Sequence, residues 1–437
     1  EGYKKYISDC KTERESIKEA ISLAESKGYR DLKNVISAGK SLKAGDKVYY
    51  NNMDKSLALF LIGSESIESG MRIIGSHVDS PRLDLKPNPL YEDSELSLME
   101  THYYGGVKKY QWVTIPLALH GVVVKKDGTK INVVVGEEET DPVVMVSDLL
   151  VHLASEQQQK KATEVIAGED LNILVGSMPL EGEEKEAVKA NILKLLKEKY
   201  DFEEEDFMSA EIEIVPAGKA RDLGLDRSMV AGYGHDDRIC AYTSLLALLE
   251  TESTKKTSVV LLVDKEEVGS IGATGMQSRF FENAVAELMD RVGEYSELKL
   301  RRALANSKML SSDVTAAFDP NYAGAYEKKN SAFFGKGLAF AKYTGARGKS
   351  GCNDANAEFV AWLRNVMDEN DVAYQMAELG KVDQGGGGTI AYILAEYGME
   401  VIDCGVALQN MHAPWEVASK VDIFETMRGY KAFLMAE

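Results

Sequence analysis

Ser258-Val-Val-Leu-Leu-Val-Asp264 is an apolar run that ends in an acidic residue, and a glycine-rich turn from Val268 to Gly275 follows it. The run has the length and composition of a buried strand. Two adjacent carboxylates, Glu266 and Glu267, lie between the run and the turn. Because neighbouring side chains at a strand end point to opposite sides, one carboxylate can bind a metal ion while the other takes a proton from water. Catalytic groups collect at such strand ends in α/β proteins.

Further apolar runs and helical patterns surround this stretch. The runs are Met71 to Gly75, Met309 to Ser311 and Met399 to Gly405. Apolar residues recur at helical spacing from Asp237 to Leu249 and from Asp354 to Val366, where Asn353 is a candidate N-terminal cap. Strands that alternate with helices predict an α/β fold built on one sheet.

The middle of the chain, from about Glu95 to Met229, differs from the rest. It contains short alternating runs at Gly121 to Lys125, Lys130 to Val135 and Ala210 to Val215, and one helical pattern from Glu183 to Lys199. Short strands separated by turn residues predict a β-rich insertion. We therefore predict three segments: residues 1–94 and 230–437 form a catalytic domain, and residues 95–229 form an inserted domain for dimerisation and assembly.

Composition excludes several classes of protein. The 437 residues carry a net charge of -19, which argues against nucleic acid or an anionic membrane as the main partner. No stretch reaches the ~20 apolar residues of a membrane helix, and the first residues lack the apolar segment of a signal peptide. The cysteines are too widely spaced for a thiolate zinc site: Cys10, Cys240, Cys352 and Cys404. We expect a cytoplasmic protein.

Candidate metal ligands are dispersed along the chain, but each lies at a predicted strand end or in a glycine-rich turn. Together with Glu267 they are His77, Asp79, Asp236, Asp313 and His412. Each motif alone is common by chance, whereas their joint occurrence in a chain with six histidines points to a metal site.

The chemistry of these side chains suits a pair of divalent ions. Two imidazoles, two terminal carboxylates and one bridging carboxylate satisfy two zinc ions, with Mn²⁺ or Co²⁺ as substitutes. Two metal ions ~3.5 to 4 Å apart can act on both the attacking water and the substrate carbonyl. Asp79, two residues after His77, is placed to hold the second imidazole nitrogen.

These residues resemble the aspartyl aminopeptidase family of co-catalytic zinc metallopeptidases, specifically its prokaryotic branch. The matching segments follow the family's order over nearly the whole chain. They are Ser76-His-Val-Asp-Ser-Pro-Arg-Leu83, Gly234-His-Asp-Asp-Arg238, Asp264-Lys-Glu-Glu-Val-Gly-Ser270, Ser311-Ser-Asp313, Pro320-Asn-Tyr322, Asp383 to Ile390 and Leu408-Gln-Asn-Met-His-Ala413. The resemblance implies a zinc-peptidase-type mixed sheet flanked by helices.

The resemblance also implies what each residue does in a metal-dependent aminopeptidase, which removes the N-terminal residue of a peptide. Glu266 would be the general base, and Asp79 would orient His77. The implied ligands are His77 and Asp313 for one ion, Glu267 and His412 for the other, and Asp236 between the two.

An assembly is implied as well. In the family the inserted domain forms dimers, which build a tetrahedral particle of twelve subunits that admits peptides and excludes folded proteins. A histidine from the neighbouring subunit's insertion reaches the active site, and His152 in Asp148-Leu-Leu-Val-His-Leu153 is the matching residue. The alternative for His152 is a packed histidine on an apolar helix face.

The sequence departs from the family near the expected substrate site. Lys342-Tyr-Thr-Gly-Ala-Arg-Gly-Lys-Ser350 stands where eukaryotic members have Asn-Gln-Arg-Tyr-Ala, so the preference for Asp or Glu does not transfer directly. Lys342, Arg347 and Lys349 are candidates to pair with a substrate carboxylate, or are solvated loop residues. The glycine run Gln384-Gly-Gly-Gly-Gly-Thr389 lacks a P-loop lysine and predicts close backbone approach to a bound peptide.

Two other functions remain open from sequence. One is a related di-zinc carboxypeptidase or deacylase, since several families share such a metal shell. The other is a non-catalytic protein that forms the particle's shell, although buried carboxylates without a cation would then be costly.

Overall fold

The computed structural model describes residues 1–437, which form two compact units. The first unit consists of residues 1–79, 220–411 and 416–437. The second unit consists of residues 80–219 and 412–415. The insertion predicted at residues 95–229 thus overlaps most of the second unit.

The helices and strands are numbered in chain order. The α-helices are α1 Gly2–Asp9, α2 Glu13–Ser26, α3 Leu32–Ser37, α4 Ala187–Tyr200, α5 His235–Leu249, α6 Phe280–Val292, α7 Glu297–Ala305, α8 Ala357–Glu369, α9 Ala391–Ala395 and α10 Lys420–Met435. The strands are β1 Arg30–Asp31, β2 Lys47–Asn52, β3 Ser56–Leu61, β4 Met71–His77, β5 Arg82–Asp93, β6 Leu96–Tyr104, β7 Leu117–Val124, β8 Lys130–Val135, β9 Met145–Val146, β10 Ile173–Gly176, β11 Ala210–Pro216, β12 Arg221–Leu223, β13 Met229–Gly232, β14 Thr257–Val263, β15 Lys308–Ser312, β16 Thr315–Ala316, β17 Leu338–Ala341, β18 Tyr374–Met376, β19 Glu400–Gly405, β20 Ala407–Gln409 and β21 Glu416–Ser419.

The first unit is built on a nine-stranded mixed sheet in the order β1-β2-β3-β14-β4-β15-β19-β17-β18. Its four central strands, β14, β4, β15 and β19, are all parallel to one another. Their carboxyl ends therefore meet at one edge of the sheet, where ligands bind in open α/β sheets. A five-stranded sheet in the order β12-β13-β21-β20-β16 completes this unit.

Side chains of β14 alternate between two hydrophobic cores, one on each face of the nine-stranded sheet. Val260 and Leu262 pack with α5, α8 and α10, whereas Val259, Leu261 and Val263 pack with α3, α6, α7 and α9. Burial on both faces explains why the strand reads as a continuous apolar run. The result is a sheet between two layers of helices.

The four strands predicted from apolar runs are confirmed, as is the α/β fold class. One detail of the predicted helices is wrong. The cap of α8 is Asn356, whose side chain accepts the Phe359 N–H at 2.7 Å, and not Asn353. Asn353 instead donates its side-chain amide to the Val401 carbonyl at 2.6 Å, which holds the preceding segment against β19.

The second unit contains a seven-stranded sheet in the order β8-β7-β11-β5-β6-β10-β9, and all its strand pairs are antiparallel. Its helix α4 packs on β5, β6 and β10. Trp112, Ile173 and Ile214 are fully buried in this unit. The prediction of a β-rich insertion is therefore confirmed. None of the helices in either unit has both the length and the apolar character that a bilayer crossing requires.

Leu262 tests the importance of β14 for stability, because its side chain is fully buried in the core under α5. We expect Leu262→Ala to lower the free energy of unfolding by about 2–5 kcal/mol, since the cavity cannot be filled. Leu225→Ala, at a fully exposed leucine, is the control and should leave it nearly unchanged. Denaturant titration of both variants measures the difference.

Candidate metal centre

The central parallel strands bring the predicted site residues to one edge of the sheet. His77 is the last residue of β4, and Asp313 directly follows β15. Glu266 and Glu267 lie in a short 3₁₀ turn just after β14. Asp236 enters from the start of α5, where its backbone is not yet helical. Residues far apart in sequence thus meet because their strands are adjacent and parallel.

The turn that carries the two glutamates is closed by its own side chains. Asp264 accepts a hydrogen bond from Thr274 Oγ1 at 2.6 Å and another from the Lys265 N–H at 2.8 Å. Lys265 then adopts a left-handed conformation, with φ of 72°, that reverses the chain into the 3₁₀ turn. A side chain at Gly275 would overlap the Ser270 carbonyl, so glycine is required there.

The imidazole of His77 is the centre of the cluster. Its Nε2 atom lies 3.1 Å from Asp236 Oδ1, 3.7 Å from Asp313 Oδ1 and 3.8 Å from Glu266 Oε2. The ring is almost completely buried, with 2% exposed. A buried imidazole that faces three carboxylates has the composition of a metal site.

Two groups of possible ligand atoms overlap at this imidazole. In one, the ligand atoms of His77, Asp236 and Glu267 all lie within 4.8 Å of one another. In the other, the same holds for His77, Asp237 and Asp313. Four of these five residues are ligands predicted from the sequence, and the fifth, Asp237, is not.

Asp237 is the site residue that sequence reasoning missed. Its Oδ2 atom accepts the backbone N–H of His77 at 3.3 Å, so it holds the end of β4 from the side of α5. Its position directly after a predicted ligand did not identify it, because the contact depends on the non-helical backbone at the start of α5. The side chains of consecutive residues usually point in different directions. Those of Asp236 and Asp237 nevertheless both belong to the cluster around His77.

Asp79 holds both the imidazole and the glutamate turn. His77 Nδ1 lies 2.9 Å from the Asp79 carbonyl oxygen and 3.3 Å from its carboxylate Oδ1. The two carboxylate oxygens also accept the backbone N–H groups of Glu266 and Glu267, each at 3.2 Å. One buried carboxylate therefore fixes the strand end relative to the turn.

The electrostatics of the cluster favour a positive charge within it. Burial, with a smaller contribution from the Asp313, Asp79 and Asp236 carboxylates, raises the pKa of Glu266 to about 8 against the opposing effect of His77. Burial likewise raises the pKa of Asp313. Burial alone lowers the pKa of His77, but the surrounding carboxylates raise it well above its usual value.

These shifts provide a test of whether the residues fit a metal ion. Carboxylates packed this closely repel one another, and each remains ionised only when a cation compensates the charge. Imidazole and carboxylate oxygen are ligands that Zn²⁺ accepts. The donor set therefore fits a divalent cation of the zinc type.

Two predicted histidines lie in the second unit. His412 has Nδ1 2.9 Å from the Gly106 carbonyl oxygen, and its role as a ligand remains a prediction. His152 is exposed in a turn, so the alternative of a histidine on a helix face is wrong. The surrounding residues Leu149, Leu150, Val151 and Leu153 are exposed as well.

The basic residues predicted for substrate binding lie in a separate loop of the first unit. Arg347 and Lys349 line a cavity of about 230 Å³ together with Tyr343, Glu378 and Lys381. Lys349 forms an ion pair with Asp354 at 2.8 Å. Lys342 is exposed and is not among the residues that line this cavity.

The glycine run predicted to approach a peptide is tied to the same sheet edge as the cluster. Side chains at Gly385 and Gly386 would overlap the neighbouring loops of this chain. Thr389 Oγ1 donates to Asp403 Oδ1 at 2.6 Å, and Asp403 is the register partner of Ser311. The glycines thus allow close packing of two loops, and contact with a peptide remains a prediction.

The mixed sheet and the carboxylate cluster are those of a metallopeptidase. Comparison with known proteins leads to the same class. A family model described as "Aminopeptidase I zinc metalloprotease (M18)" matches residues 6–434. The chain therefore belongs to the M18 family of zinc aminopeptidases. This confirms the resemblance found in the sequence and makes the protein a metal-dependent peptide hydrolase.

Individual relatives support the assignment. The chain is 68% identical over 433 residues to the "Probable M18 family aminopeptidase 1" of Clostridium acetobutylicum, which covers 99% of this chain and 93% of that protein. A crystal structure of an M18 aminopeptidase from Thermotoga maritima matches with a TM-score of 0.95 at 46% identity, over 99% of this chain and 95% of that one. The S. cerevisiae mApe1 dodecamer shares the fold, with a TM-score of 0.80 at 20% identity over 99% and 95% of the two chains.

Thr274 provides a test of the glutamate turn, because its hydroxyl donates to the buried Asp264 carboxylate. We expect Thr274→Val to destabilise the protein by about 1.5–3 kcal/mol, the usual range for a hydrogen bond to a charged group. It should also lower kcat, since the turn carries both glutamates.

The matched control is Thr251→Val, because Thr251 is also buried but donates to the Ala247 carbonyl in α5. We expect only about 0.5–1.5 kcal/mol of destabilisation and an unchanged kcat. Equal losses of stability and activity in the two variants would contradict the proposed support of the turn.

Proposed function

We propose that the protein hydrolyses the first peptide bond of a peptide with a free N-terminus, with Glu266 as the general base. The observation that carries this proposal is the position of Glu266. Its carboxylate lies 3.8 Å from His77 Nε2, yet it belongs to neither group of clustered ligand atoms. A general base needs this arrangement, because it must reach the reacting water without being occupied as a ligand.

The remaining site residues would hold two divalent ions, most simply zinc. Asp236 is the candidate bridge, as the family resemblance implies. Its ligand atom is grouped with those of His77 and Glu267, and Asp313 belongs to the other group, which also contains His77. His412 would complete the second ion's ligands, as the family resemblance implies. When bound, such ions lower the pKa of water and polarise a carbonyl group.

Glu266 would move the proton during the reaction. Its carboxylate accepts a proton from the attacking water and later donates it to the leaving amine. The backbone of Glu266 is fixed by the Asp79 carboxylate, so the base is held in one position. Asp79 would also set the orientation of His77 through Nδ1.

A preference for an acidic first residue is part of the proposal. The cavity beside the glycine run is lined by Arg347, Lys349 and Lys381, opposed by a single carboxylate, Glu378. Lys349 is already paired with Asp354, and the planar guanidinium of Arg347 suits a carboxylate better than the ammonium group of Lys381. Arg347 is therefore the best candidate to bind a substrate carboxylate.

We propose a homo-oligomer, and a dodecamer as its form, in a reducing compartment such as the cytoplasm. The second unit exposes the apolar residues Leu149, Leu150, Val151 and Leu153. They surround His152, the residue predicted to reach the active site of a neighbouring subunit. Contiguous exposed apolar residues are typical of a protein interface. The four cysteines are free thiols, which suits a reducing environment.

Glu266→Gln tests the base. The variant keeps the size of the side chain but cannot accept a proton, so we expect kcat to fall by a factor of about 10²–10⁴. Its zinc content should remain that of the wild type, whereas Glu267→Ala should lose zinc. Glu287→Gln, on the exposed face of α6, is the control. Full activity of Glu266→Gln would exclude the assigned role.

Cleavage of a peptide panel tests the reaction. Peptides that differ only in the first residue are supplied with a free or an acetylated N-terminus, in zinc, manganese or cobalt and with a chelator control. We expect metal-dependent release of the first residue from free peptides only. Release of the last residue would instead indicate a carboxypeptidase, and no release under any metal would favour the shell protein.

Arg347→Ala tests the specificity. Because a charge-assisted hydrogen bond contributes about 1.5–3 kcal/mol, we expect kcat/KM to fall about 10- to 100-fold for peptides that begin with Asp or Glu. Peptides that begin with Leu should be cleaved as by the wild type. Lys342→Ala is the comparison, and an acidic preference that follows Lys342 instead would refute the assignment.

A further inference from the structure

The N-terminal helix α1 packs against the turn that carries Asp236. The hydroxyl of Tyr3 and Nδ1 of His235 share a hydrogen bond of 2.5 Å, and the two rings stack with centroids 5.6 Å apart. Tyr3 is 8% exposed and His235 is fully buried. His235 immediately precedes the proposed bridging ligand, so this contact fixes the chain one residue before Asp236.

A second contact fixes the chain on the other side of the ligand. Arg238 is fully buried, and its guanidinium donates to the Lys11 carbonyl at 2.9 Å and to the Tyr233 carbonyl at 3.3 Å. Lys11 lies just beyond α1. A buried arginine is costly unless its N–H groups form hydrogen bonds. One of the acceptors of Arg238 is the Lys11 carbonyl, in the segment that follows α1.

The turn is also held by a residue of β21. Glu416 Oε2 on β21 accepts the backbone N–H of Asp236 at 3.0 Å. The backbone of Asp236 is thus held directly, and the residues at 235 and 238 are held by the segment that contains α1. Metal ligands need this restraint, because a site loose by even ~1 Å binds poorly.

We infer that Tyr3 is a positioning residue, which acts through His235 to hold Asp236 in place for metal binding. The inference rests on the proposed metal role of Asp236. Packing alone does not require the hydroxyl, because a phenyl ring would keep the contacts of Tyr3 with Tyr242. The hydroxyl instead joins the N-terminal helix to the residue beside the ligand. Loss of such an outer contact typically costs 10- to 100-fold in metal affinity.

The experiment measures zinc release from the zinc-loaded full-length protein to a chromogenic chelator. We expect Tyr3→Phe to release zinc about tenfold faster than the wild type, with activity restored by excess zinc. Tyr6→Phe is the matched control, because Tyr6 is a buried tyrosine of the same helix that packs on Tyr242. This control should release zinc at the wild-type rate.

A double-mutant cycle tests whether Tyr3 acts through His235. If it does, Tyr3→Phe combined with His235→Phe should release zinc no faster than the faster single variant, because one contact is lost in each case. Multiplied effects, or zinc release from Tyr3→Phe at the wild-type rate, would overturn the inference. The inference would also be overturned if Tyr3→Phe were less stable than Tyr6→Phe and this difference in stability explained the faster zinc release.

The measurement separates this inference from the proposed function. A wild-type protein that retains no zinc would contradict the proposed metal centre itself. A wild-type protein that retains zinc, with a Tyr3→Phe variant that retains it equally well, would contradict only the positioning role.

Discussion

Repulsion among closely packed carboxylates is the constraint on which the rest of this structure depends. One imidazole is surrounded by two buried carboxylates, Asp236 and Asp237, and by three half-buried ones, Asp313, Glu266 and Glu267. Negative charges at such distances cannot all persist without a compensating positive charge. The surrounding carboxylates raise the pKa of His77, whereas the pKa of Glu266 is raised first by burial and then by its carboxylate neighbours.

The surrounding fold withstands this repulsion by fixing the backbone more than the side chains. Asp79 accepts two N–H groups of the glutamate turn, Asp237 accepts the N–H of His77, and Glu416 accepts that of Asp236. Each acceptor is itself a buried acid, so the ligand shell and its supports have the same charge. Stability of the apo protein and affinity for a cation are therefore opposed properties here.

Much of the fold and part of the site could be predicted from sequence. The strands were recognisable because burial on both faces makes β14 and its neighbours continuously apolar. Most candidate ligands could be named because each follows a strand or lies in a turn. Asp237 could not be named as a site residue, because its contact with the His77 backbone depends on the non-helical start of α5. The cap of α8 was misplaced because Asn353 makes a contact across the sheet edge that no local pattern reports.

The site is assembled from residues that are far apart in the sequence. The register of β4 with β14 joins residues that lie on either side of residues 80–219, and the acceptor of the Asp236 N–H is Glu416, 180 residues further along the chain. Contacts of such high sequence separation form late, because the intervening loop must close first. No single segment of the chain can therefore organise the cluster by itself, and the site exists only after these distant strands have paired.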